Sequence, residues 1–135
     1  MLVGGEAAGG AASRLGQAGR AAWLGRAAEG TTETVGYSSF RAFKAANGSA
    51  GEGMAWHHIV EQNPSNITKF GPEAIHTESN LIKLPNGAGS IHAKISGFYS
   101  SKMPGTSMHI RDYVKTLPFQ EQYQFGLDAL KRFGY

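Results

Sequence analysis

Trp56-His57-His58-Ile59-Val60 is the stretch on which the fold turns. It closes a short apolar run, residues 54–60, that follows Gly48, Gly51 and Gly53 and reads as a β-strand. Side chains alternate along a strand, so His57 and His58 point to opposite faces and cannot play the same part in a simple sheet. Where the strand ends or twists, both can still approach one site from different sides. Working outward, Asn80 stands immediately before a second strand, residues 81–84, which Pro85-Asn86-Gly87 closes as a turn. Ser90 then caps a helix on which Ile91, Ile95 and Phe98 recur at i, i+4 and i+7, and His92 lies in its first turn. The order is strand, long loop, strand, helix.

The elements on either side follow from local signals. Residues 38–46 read as a helix capped by Ser38 or Ser39. Asn63 caps a one- or two-turn helix with Pro64 at its first position and Gly71 just past its end. Residues 107–117 and 118–133 read as two further helices, the last with Phe119, Tyr123, Leu127 and Leu130 on one stripe. The aromatic C-terminus is expected to pack against the hairpin. The first 30 residues differ: eight Gly and nine Ala leave few large apolar side chains to offset the entropy of ordering. Residues 11–29 have some helical composition, weakened by Gly16, Gly19 and Gly25. The chain is therefore divided into a linker or tail of a preceding region, 1–35, and a folded domain, 36–135. The fold class is α+β, a hairpin plus helix with further helices, mainly helical outside the hairpin.

Composition excludes some chemistries. None of the 135 residues is cysteine, so disulfides and thiolate metal sites are out, and any metal must use His, Asp, Glu or Asn. A formal charge of +3 leans mildly toward an anionic partner such as nucleic acid. No apolar run is long enough to span a membrane, and the N-terminus lacks the pattern of a secretory signal.

The ordered set Trp56-His57-His58, then Asn80-Leu81-Ile82-Lys83-Leu84-Pro85, then His92, resembles the HNH (ββα-metal, His-Me finger) nucleases of the Trp-His-His subgroup. That subgroup looks like the C-terminal toxin modules of bacterial polymorphic toxins. The resemblance covers about residues 53–99. It implies a hairpin and a helix gripping one divalent metal ion against a scissile phosphate. His58 then matches the general base that activates water, and His57 and His92 match the metal ligands. Asn80 matches an asparagine that either bonds the backbone near the base or ligates the metal, and the sequence leaves both open.

One position departs from the pattern. Members with two helix ligands space them four residues apart, and Ser96 stands there. Two histidine ligands favour a hydrated ion, so Mg²⁺ or Mn²⁺ is as well suited as Zn²⁺.

The resemblance further implies a largely nonspecific endonuclease acting on DNA, or alternatively on RNA, as an antibacterial toxin. It would be secreted or delivered by an effector system into the target cytoplasm and countered by a cognate immunity protein. A rival reading is a non-catalytic nucleic-acid-binding or zinc-stabilised module, which would need four closed metal ligands. Lys94, Lys102, Arg111 and Lys115 would hold the phosphate backbone if they share a face with the metal. His76 and His109 fall outside the motif and are expected at the surface, and Trp56 in the core.

Overall fold

The computed structural model describes Ala12–Arg14 and residues 34–135. In chain order the elements are β1 (Ala12–Arg14), β2 (Val35–Tyr37), α1 (Phe40–Asn47), β3 (Met54–His58), α2 (Pro64–Phe70) and α3 (Pro72–Ile75). A 3-10 turn (Glu78–Asn80), β4 (Leu81–Pro85), α4 (Ile91–Ser100), α5 (Ile110–Val114) and α6 (Phe119–Arg132) follow. The class is α+β, mostly helical, with two-stranded antiparallel sheets. Among the described residues no helix is long and apolar enough to cross a membrane.

α1, α2 and α4 start where a polar side chain satisfies a free backbone N–H group. Ser39 Oγ accepts from Ala42 N at 3.0 Å, Asn63 Oδ1 from Asn66 N at 2.8 Å and Ser90 Oγ from Ala93 N at 3.2 Å. Gly71 ends α2 and precedes α3 at φ +87°, a conformation that costs a side-chain-bearing residue steric energy. The turn it makes folds α3 back beside α2, and α3 and the 3-10 turn occupy much of what reads in sequence as a long loop.

The β3–β4 hairpin organises everything else. Its register pairs Trp56 with Lys83, His57 with Ile82 and His58 with Leu81. Cross-strand partners share a face, so alternation sorts the hairpin into two sides. On one side Ile82 and Leu84 meet Ile95, Tyr99, Ile110, Val114 and Leu130 from α4, α5 and α6. On the other, Leu81 and Trp56 meet Tyr37, Phe40 and Phe43 from β2 and α1. A third apolar group, Val60, Ala74, Ile75 and Phe119, fills the space where β3 ends. Gly126 lets α6 press directly on that end: a Cβ there would stand 2.6 Å from the Ile59 carbonyl oxygen.

Several sequence expectations change. Within residues 11–29, read from sequence as linker with some helical composition, Ala12–Arg14 is a strand paired with β2; the rest of that span lies outside the described residues. The 35/36 boundary cuts β2, and Thr77 Oγ1 donates to Val35 O at 3.0 Å, so Val35 belongs with the fold. The helix expected over 107–117 shrinks to α5. The residues before it instead turn back on the end of α4, with Met103 N donating to Met108 O at 2.9 Å and Ile110 N to Ser101 O at 2.8 Å. The fully buried face of α6 runs through Phe119, Gln122, Gly126, Ala129 and Leu130, with Tyr123 and Leu127 at its margin. Gln122 is tolerated because it forms a reciprocal amide pair with Asn66, at 2.9 and 3.0 Å, deep in the interior. Of the C-terminal aromatics, Phe125 and Phe133 meet Phe98 of α4 within the cluster that includes Leu84 of the hairpin, Phe119 joins Val60 just past β3, and Tyr135 is exposed.

Candidate active site around the histidines

Strand alternation places His57 on the α4 side of the hairpin. There its ring meets His92, from the first turn of α4, edge to face with centroids 5.7 Å apart. Two imidazoles sharing one metal ion place their centroids about 5–6 Å apart, given metal–nitrogen bonds near ~2 Å. Burial, and then the neighbouring His92, push the His57 pKa down to about 4. The ring is therefore neutral at pH 7, the form that can ligate a metal. Ser96 is exposed, and among the described residues no three His, Cys, Asp or Glu side chains gather as a metal site. The spacing of the pair fits a divalent ion held between two imidazole nitrogens.

His58 points the other way and is 7% exposed. Its Nε2 lies 3.1 Å from His76 Nδ1, and the edge of Phe40 packs against it at 4.8 Å. Burial, then His76, then His57 push its pKa down to about 3. His58 is thus a neutral imidazole at pH 7, with Nε2 engaged and Nδ1 without a protein partner among the described residues. His57 is near enough to disfavour a second charge, which ties the two sides of the hairpin together electrostatically.

Asn80 is fully buried, and its amide is spent on backbone. Oδ1 accepts from Val60 N at 2.8 Å, and Nδ2 donates to Val60 O at 3.0 Å and to Ile75 O at 2.9 Å. Its own carbonyl accepts from Ile59 N at 2.9 Å. These backbone bonds match the first of the two arrangements that the sequence leaves open. Asn80 grips the chain just past His58, and its fully buried side chain has no exposed surface.

His76 corrects the expectation of a surface residue. It is 5% exposed, burial lowers its pKa, and it faces His58. No local pattern signals it, because α3, which delivers it, spans only Pro72–Ile75 and has no readable periodicity. His109 is at the surface as expected, 3.7 Å from Asp112. Trp56 packs edge-on against Phe43 and donates from Nε1 to Gly48 O at 3.0 Å.

The four basic residues do not form one stripe beside the histidines. Lys94 is two residues after His92, about 200° round the helix, and so faces away from it. Arg111, half-exposed, is already paired within the chain: Nε and Nη2 donate to the Glu61 carboxylate at 3.3 and 2.9 Å, and Nη1 donates to Ser100 Oγ at 2.7 Å. Lys115 pairs with Asp112 at 3.2 Å. Lys102 is exposed and lines a shallow cavity with Met103, Tyr113 and Arg132, beyond the far end of α4 from His92. Glu61, the partner that claims Arg111, went unnoticed in the sequence because nothing local links residues fifty positions apart.

Compared with models of known protein families, with curated proteins and with solved structures, the chain matches none. Its functional reading rests on its own residues.

Proposed function

We propose that this chain is a metal-dependent phosphodiester endonuclease of the HNH, ββα-metal type, acting chiefly on DNA with little sequence preference. The observation that carries the proposal is the approach of His57 on β3 to His92 on α4, across the hairpin that also bears His58. Two neutral-capable imidazoles would hold one divalent ion, Mg²⁺, Mn²⁺ or Zn²⁺, which when bound supplies charge stabilisation for the phosphate and the leaving oxygen. His58 performs the proton work. Nε2 is engaged by His76, so Nδ1 takes the proton from the attacking water as its oxygen bonds to phosphorus and the bond to the leaving oxygen breaks. Asn80 keeps Ile59 and Val60 in place and so fixes where the His58 ring emerges. Substrate grip comes from groups other than Arg111, whose charge Glu61 already balances.

The biological setting we propose is that of an antibacterial toxin domain, delivered to a target cytoplasm and restrained by an immunity protein. Its support is the sequence resemblance of residues 53–99. Expressed in a bacterial cytoplasm without a partner, the chain should be toxic and fragment the chromosome, and His58→Ala should relieve both effects. Intact DNA beside a degraded RNA pool would move the substrate to RNA on the same site. Survival with both pools intact, from a protein shown to be folded and expressed, would falsify the nuclease reading.

A further inference from the structure

His58 and His76 form a buried imidazole pair that no part of the sequence pattern assigns. The contact is 3.1 Å between His58 Nε2 and His76 Nδ1, so one of these nitrogens carries the proton and the other accepts it. His76 is held firmly enough to dictate the geometry. Its backbone N donates to Pro72 O at 2.8 Å and its carbonyl accepts from Tyr37 N at 2.9 Å. Phe40 lies nearly parallel to its ring, at 10° and 6.2 Å, while meeting His58 edge-on.

We propose that His76 is a positioning residue for His58, accepting the His58 Nε2 proton at its own Nδ1 and so keeping the His58 Nδ1 lone pair bare. The consequence for catalysis rests on the nuclease reading above. Polarity decides the matter. Were His76 the donor, neutral His58 would carry its only proton on Nδ1 and have no lone pair left with which to take one from water. With His76 as acceptor, His58 gains a proton on Nδ1 while its Nε2–H stays in place. The contact then becomes a charge-assisted hydrogen bond without any ring having to flip. A backbone-anchored acceptor behind a base histidine fixes both tautomer and ring orientation. Here a second imidazole fills that place.

The test combines a direct reading of the protons with kinetics on the full chain. In metal-free protein with ¹⁵N-labelled histidine near neutral pH, two-bond ¹H–¹⁵N correlation should show His58 as the Nε2–H tautomer and His76 with a bare Nδ1. His76→Phe keeps a ring beside Phe40 but removes the acceptor, and should release His58 into a mixture of tautomers. With plasmid as substrate its kcat should fall about 10- to 100-fold, the usual cost of losing an orienting partner, at nearly constant KM. His76→Asn, whose amide oxygen can stand near the Nδ1 position, should restore both the tautomer and most of kcat. A wild-type protein that cuts nucleic acid with the proton on His58 Nδ1 would overturn the proposal and spare the nuclease reading. So would a folded His76→Phe protein with unchanged kcat. A wild-type protein showing the expected tautomer that cuts neither DNA nor RNA with any divalent ion would instead sink the nuclease reading, and the catalytic use of the pair with it.

Discussion

His58→Ala should lower the rate of nucleic-acid cleavage by about 10² to 10⁴, the usual cost of removing a general base. The structure adds that this variant will not be thermally silent. His58 is 7% exposed, packs against Phe40 and is His76's ring partner, so its loss leaves a small cavity and an unpaired buried nitrogen. A cost of about 1–3 kcal/mol is expected from an unsatisfied buried polar group. Rates must therefore be compared on protein shown to be folded, and His58→Asn, which keeps a polar side chain facing His76, is the milder companion. His57→Ala and His92→Ala should fail differently. They sit on the other side of the hairpin and should weaken divalent-metal binding, read by calorimetry, along with cleavage. A folded His58→Ala protein cutting at the wild-type rate would remove His58 from the mechanism.

The second large effect is acid sensitivity. His57 and His58 are held neutral by burial, with pKa values near 4 and 3, and burial also lowers that of His76. In the unfolded chain these rings titrate near ~6.5. Between those limits the unfolded state binds more protons than the folded one, so stability must fall as pH falls. The loss begins near pH 6.5 and is complete only below the folded values. Because the rings disfavour one another's charge, the loss is shared across the cluster. The metal-free protein should therefore melt at a clearly lower temperature at pH 4 than at pH 7.5. Thermal melts in EDTA from pH 7.5 to 4 provide the check. A melting temperature that stays flat across that range would show that the rings are not held neutral.

Much of the framework was legible because it is written locally. Caps at Ser39, Asn63 and Ser90, the Pro64 start and the Gly71 stop each act within one turn of chain. The two hairpin strands announce themselves by apolar runs between turn signals, and strand alternation alone separates His57 from His58. What escaped was written across the chain. His76 reaches His58 only because α3 and the 3-10 turn fold the connection back beneath β3, an arrangement with no sequence period. The Asn66–Gln122 pair and the Glu61–Arg111 ion pair join residues far apart. Each turns a side chain that reads as surface polar or phosphate-binding into part of the packing. Gln122 in particular shifts the buried face of α6 away from the stripe that hydrophobicity alone would choose. Asn80 is an intermediate case. Its position before β4 marks it in the sequence, but its bonds to Val60 and Ile75 are visible only in the fold.

We propose that His57, His58 and His92 make a metal-dependent phosphodiesterase. Purified full-length protein incubated with supercoiled plasmid and, separately, with structured RNA measures this directly, with EDTA and then with Mg²⁺, Mn²⁺ or Zn²⁺ added back. The account predicts nicking and linearisation of the plasmid with at least one of these ions, abolished by EDTA, restored by the ion and lost in His58→Ala. Plasmid and RNA both left whole by folded protein at every ion tested would contradict it, as would cleavage indifferent to EDTA and to His58.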